Sequence, residues 1–175
     1  MHIRPLTEAD ASAYRALMLQ AYTLAADAFT STAQERAAEP LSWWVHRIAD
    51  PARLCHGFAA FDAGQSMVGT VAIEYSPKPK TLHKALVIGM YVVPAQRGQG
   101  LARALLEMAV ADARARTGVL LVQLDVTQGN LSATRLYESV GFEPFGLEPM
   151  AIYTGTEFKA KLHMGLRLDG RSNPG

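Results

Sequence analysis

The stretch from Leu82 to Val126 constrains this chain more than any other. Leu82 to Val93 is an apolar run rich in strand-favouring residues, and Pro94 stops it. After a turn with glycines at 98 and 100, residues Leu101, Ala104, Leu105, Met108 and Ala109 recur at helical spacing as far as Thr117-Gly118. Val119 to Val126 is then almost unbroken apolar sequence, the pattern of a central strand covered on both faces. Strand, crossover helix and second strand imply two parallel neighbours in one sheet.

The flanks extend that sheet. His2 to Leu6 is a short extended start, and Thr7-Glu8-Ala9-Asp10 offers a hydroxyl cap with carboxylates near the positive end of a helix. Tyr14, Leu17, Met18, Ala21 and Tyr22 give that helix its core-facing stripe. Pro40 ends a less patterned segment before a second helix around Ser42 to Ile48, closed by Asp50-Pro51. Cys55 to Phe61 and Ser66 to Glu74 read as antiparallel strands leading into Leu82 to Val93. Asn130 to Val140 reads as a helix with Ala133, Leu136, Tyr137 and Val140 on one side and Gly141 at its end, and Phe142 to Ile152 and Phe158 to Leu168 as the last strands. The expectation is one α/β (α+β) domain over 1–168, a mixed central sheet of about six to seven strands with helices on both faces, and a loose tail over 169–175.

Composition narrows the function classes. Seventeen basic and sixteen acidic side chains leave a net charge of +1, which gives no electrostatic footprint for nucleic acid. The longest uncharged apolar run, Ala85 to Val93, is too short for a bilayer, so a soluble, cytoplasmic protein without a membrane partner is expected. The lone cysteine, Cys55, lies in an apolar stretch and reads as a buried thiol rather than an acyl-carrying nucleophile. The histidines at 2, 46, 56, 83 and 163 lack ligand spacing, so no metal is expected.

Chemistry concentrates in the turn Gln96-Arg97-Gly98-Gln99-Gly100-Leu101-Ala102-Arg103, which joins a strand to a helix. The first N–H groups of a helix lack internal partners and sit at the positive end of its dipole, so they can hold an anion. Glycines at 98 and 100 clear the approach, and Arg97 and Arg103 can add charge-assisted bonds. A dinucleotide fingerprint fails because Arg103 stands where its third small residue belongs, and no Gly-Lys-Ser/Thr triplet completes a P-loop. Taken alone, Gly-x-Gly is more often an ordinary polar turn before a helix.

Two blocks carry a resemblance. Arg97-Gly98-Gln99-Gly100-Leu101-Ala102 matches the acyl-CoA signature Gln/Arg-x-x-Gly-x-Gly/Ala, and Asn130 to Phe142 matches Asn-x-x-Ala-x-x-x-Tyr-x-x-x-Gly-Phe. Together they resemble the GNAT superfamily of N-acetyltransferases, whose element order agrees from His2 to Leu168. The resemblance implies acetyl-CoA as acyl donor and an amine acceptor, between two parallel strands that splay apart. It also implies that main-chain groups of Met90, Tyr91 and Val92 run beside the pantetheine arm and that Arg97, Gly98, Gln99, Gly100, Leu101, Ala102 and Arg103 hold the pyrophosphate. Asn130 would bond the pantetheine region, and the Tyr137 hydroxyl would face the thioester sulfur.

In direct transfer a neutral amine attacks the thioester and the departing thiolate needs a proton. Tyrosine, with a pKa of about 10 against ~8.5 for a thiol, keeps its proton until the sulfur charge develops, so Tyr137 is the expected general acid, with core packing its competing role. The base is less evident, because Leu86 stands where some family members carry a glutamate. A lysine-like amine costs about 4 kcal/mol to deprotonate at neutral pH and an α-amino group under about 1, so a low-pKa amine needs less help. Glu74 and His83 are water-mediated alternatives that also read as exposed surface groups. Tyr22, Phe29, Trp43 and Trp44 are possible acceptor walls or core. A small-molecule amine leads over a protein α-amino group or lysine because no docking module or charged peptide groove is evident. A non-catalytic acyl-CoA-binding module and a scaffold protein are the other classes, and pairing of the last strands across a homodimer is expected.

Overall fold

The computed structural model describes residues 1–170; the rest of the expected tail, 171–175, lies outside the described residues. Strand β1 (His2–Pro5) leads into a turn in which the Asp10 carboxylate accepts from the Thr7 N–H (2.8 Å) and Oγ1 (3.0 Å) and from two Arg4 guanidinium nitrogens (2.8 Å each). The acidic residue, rather than the threonine, therefore fastens the start of α1 (Ala11–Leu24). A short α2 (Ala33–Ala37) occupies the segment that lacked a pattern, capped by Thr32 and Glu35, and α3 (Leu41–Ala49) follows Pro40. Then come β2 (Cys55–Phe61), β3 (Met67–Tyr75), β4 (Lys84–Val92), α4 (Leu101–Ala115), β5 (Leu121–Thr127), α5 (Leu131–Val140), β6 (Glu143–Tyr153) and β7 (Phe158–Arg167).

These seven strands form one sheet in the order β1-β2-β3-β4-β5-β7-β6, in which only β4 and β5 run parallel. Helices α1 and α3 cover one face with Tyr14, Met18, Trp44 and Ile48 against Ala59, Phe61 and Tyr91. Helix α4 covers the other with Leu105, Leu106, Ala109 and Val110 against Val71, Ile73, Val122 and Leu124. Gly57 lets α3 approach β2 closely, since a Cβ there would come within 2.8 Å of Ile48.

One expectation is corrected. Strand β5 is not covered on both faces: Val122, Leu124 and Val126 are buried on the α4 side, but Asp125 on the opposite face is exposed. The α1–α3 layer packs chiefly over β2, β3 and β4, and leaves that face of β5 as the wall of a cleft. Beyond it β6 is an edge strand showing Phe145, Leu147, Met150 and Tyr153 to solvent, the side chains on which the expected pairing across a dimer would rest. Among the described residues no helix is long and apolar enough to cross a membrane.

Candidate active site

The cleft begins where the parallel pair parts. Lys84, Ala85 and Leu86 pair with Leu121, Val122 and Gln123, and beyond them β4 and β5 share no ladder. The β5-facing main chain of the rest of β4 is left without a strand partner, as an extended ligand arm alongside it requires. Gly89 sharpens the opening. It lies in a bulge of β4 against β3 with φ +61°, and a Cβ there would sit 3.2 Å from the Tyr14 hydroxyl oxygen. A glycine within an apolar strand was the sequence signal for this bulge. The resulting cavity, about 680 Å³, is walled by β4, β5, the loop after α1 and the first turns of α4 and α5.

At one end stands the N-terminus of α4. Gly98 (φ +76°) and Gly100 (φ +77°) are both left-handed, and a Cβ on either would point into open space. The N–H groups from Gly98 to Arg103 meet no main-chain acceptor among the described residues. A fifteen-residue helix thus presents its positive end through an unobstructed loop, which fits a pyrophosphate. The flanking side chains are partly engaged. Arg97 donates through Nε to the Val92 carbonyl (3.0 Å), and Arg103 pairs with Glu107 (2.8 Å) and reaches Ser139 Oγ (3.4 Å). Of the twelve residues expected at the site, Met90, Tyr91, Val92, Arg97, Gly98, Gly100, Leu101, Ala102, Arg103, Asn130 and Tyr137 line the cavity. Gln99 does not; its amide donates to Gln96 Oε1 (3.0 Å), and its main-chain N–H is what it offers.

Helix α5 brings the second block to the same cleft. Asn130 caps it, Oδ1 accepting from Ala133 N–H (3.2 Å), which leaves its amide nitrogen for a ligand. Gly141 ends it in the left-handed conformation. Tyr137 is buried against Phe142 yet reaches the cavity, and burial pushes its hydroxyl up to about 12. One side chain is thus both part of the core and part of the cleft lining.

The acceptor end departs further from expectation. Tyr22 and Phe29 line the cleft, but Trp44 is fully buried core, and Trp43 lies beneath the guanidinium groups of Arg36 and Arg47 at 4.5 and 5.1 Å from its ring centroid. His83 does not line the cleft. Glu74 is bound to Arg47 at 3.0 Å and stands directly across from Leu86 in the β3–β4 register, so its charge is paired rather than free. Cys55 is buried, donates to the Arg47 carbonyl (2.9 Å), and is pushed up to about 12 by burial, an inert thiol. Sequence reasoning missed Arg36, Arg47, Asp125 and Lys161, all of which line the cleft. The one available signal was Asp125, a carboxylate in the middle of an apolar strand.

Parallel strands that part around an open helix N-terminus, with a tyrosine in the same cleft, are the arrangement that the resemblance to acyl-CoA-binding N-acetyltransferases implies. Residues 18–142 match the model of the Acetyltransferase (GNAT) family. The chain belongs to that family. It is 34% identical over 99 residues to streptothricin acetyltransferase of Streptomyces lavendulae, a match covering 57% of this chain and 50% of that protein, so it spans only about half of that relative. Among solved structures, yncA of Salmonella typhimurium, determined with its cofactor acetyl-CoA, superposes with TM-score 0.80 at 22% identity over 100% of this chain and 98% of its own. Ribosomal-protein-alanine N-acetyltransferase of Brucella melitensis gives TM-score 0.77 at 26% identity over 96% and 100%.

Proposed function

We propose that the protein acetylates the primary amine of a small molecule by direct attack on the acetyl thioester, with Tyr137 as general acid. The observation that carries this reading is that Tyr137 of α5 lines the same cleft as the open first turn of α4. Acetyl-CoA supplies the activated acetyl group. The N–H groups from Gly98 to Arg103 hold its pyrophosphate, and the unpaired edge of β4 from Met90 to Val92 aligns its arm. Tyr137 keeps its proton at neutral pH because burial disfavours the phenolate, and the same burial makes a departing thiolate a better proton acceptor than it is in water.

Replacing Tyr137 by Phe is expected to lower kcat by about 10²- to 10⁴-fold, with acetyl-CoA affinity nearly unchanged by calorimetric titration. Undiminished thiol release in Tyr137→Phe removes the assignment. A second reading, transfer to a protein α-amino group, is favoured by the likeness to the Brucella ribosomal-protein-alanine enzyme. A thiol-release panel of small amines against peptides with free N-termini separates the two.

A further inference from the structure

Away from the α4 turn, the side chains that line the cleft are unevenly charged. Arg36, Arg47 and Lys161 bring positive charge, and Asp125 is the carboxylate among them. Asp125 is already engaged, its Oδ1 lying 2.5 Å from His163 Nδ1, whereas Lys161, on the β7 wall, has no ion-pair partner among the described residues. The two arginines are held with care. Arg47 leaves 22% of its side chain exposed and donates through Nη1 to Glu74, and Arg36 donates through Nη2 to Ser31 Oγ at 2.7 Å. Both guanidinium groups sit against the single ring of Trp43. Two like charges against one indole repel each other, and Glu39 (3.5 Å from Arg36) and Glu74 (3.0 Å from Arg47) offset part of this. The buried Nε of Arg36 still has no acceptor.

We infer that the acceptor amine also carries a carboxylate, as an α-amino acid or a close analogue does, and that Arg47 and Arg36 are the residues that hold it. This rests on the proposed acetyl transfer to a small amine. A guanidinium fork matches a carboxylate in two parallel bonds, and stacking on Trp43 fixes the fork before the acceptor arrives. Arg47 sits where this matters. Its partner Glu74 lies across from Leu86, the last β4 residue paired to β5 before the strands part, so an acceptor held by Arg47 stands at the inner end of the cleft. The same positive field disfavours the ammonium form of the acceptor, which offsets the absence of a carboxylate at position 86. A diamine, whose second charge would remain in the cleft, is disfavoured by that field.

The test uses leucine, glutamine and phenylalanine, each against its α-carboxamide, together with 1,4-diaminobutane. Binding to the protein–CoA complex is read by calorimetry and turnover by thiol release from acetyl-CoA. The carboxamide is the weaker base and has more free amine at a given pH, so preference for the acid runs against intrinsic reactivity. At least one acid is expected to exceed its amide by about tenfold or more in binding and in kcat/KM. Arg47→Gln and Arg36→Gln should each bring that ratio close to one while acetyl-CoA affinity stays within about twofold, and Arg47→Lys should restore only part of it. The Arg36 variant, on a different helix, keeps the test decisive if Arg47→Gln does not fold. Equal or better binding by the amides or the diamine, or no binding by any acid, overturns the inference. Acid-selective binding without thiol release upholds the carboxylate site and overturns the transfer reading instead.

Discussion

The two ends of the cleft are built on different principles. The end proposed for the cofactor is made of main chain: a helix N-terminus, two left-handed glycines and a strand edge released from its ladder. The end proposed for the acceptor is made of side chains from elements far apart in sequence: Tyr22 and Phe29, Arg36, Arg47, and Asp125 and Lys161 from β5 and β7. Main-chain recognition suits a ligand every family member shares, because it depends on backbone shape and tolerates change in the side chains around it. Side-chain recognition suits the partner that differs between members.

Substitutions can break this division or sharpen it. The largest effect is expected from Gly100→Val, since a β-branched residue at φ +77° costs about 1–3 kcal/mol of strain and displaces the N–H groups of the turn. Acetyl-CoA Kd should rise about 10- to 100-fold by calorimetry, with the ratio of acid to amide acceptors unchanged; a changed ratio would mean that the two ends are not separable. Gly89→Ala probes the junction. Its φ of +61° and its approach to the Tyr14 hydroxyl predict a fall in kcat of about fivefold, felt by every acceptor alike.

The smallest effect is expected at Asp10, remote from both ends. The Arg4 guanidinium holds its carboxyl well below the ordinary value of 3.8, helped by bonds from Thr7 and opposed by partial burial. A depressed folded-state pKa stabilises the fold above the unfolded value and loses that contribution as pH falls through the folded one. Asp10→Asn should therefore cost about 1 kcal/mol at pH 7, discounted because Arg4 is 40% exposed, and progressively less below about pH 4. Denaturant titrations at pH 7 and pH 3 check this, and kcat should not move.

Legibility followed the same division. The seven strands and the helices α1, α3, α4 and α5 could be read to within a residue or two, because periodicity, Pro94, the glycines at 98, 100 and 141 and the Asn130 cap act locally. Helix α2 escaped because five residues give no period to read, only the Thr32–Glu35 cap. Coverage of β5 was misjudged because an apolar run reports what a strand can bury, not which face a helix reaches. Trp43 shows the same limit, since helical spacing places an indole on a face without saying whether it meets core or guanidinium.

By itself, then, the sequence determined the sheet, the crossover and the glycine turn before α4, since each depends on the conformational range of a few consecutive residues. The tertiary structure alone decided how far β4 and β5 part, that Tyr137 serves core and cleft at once, and that Arg36, Arg47 and Lys161 meet around one space. Those depend on packing between residues tens of positions apart, which no local pattern encodes.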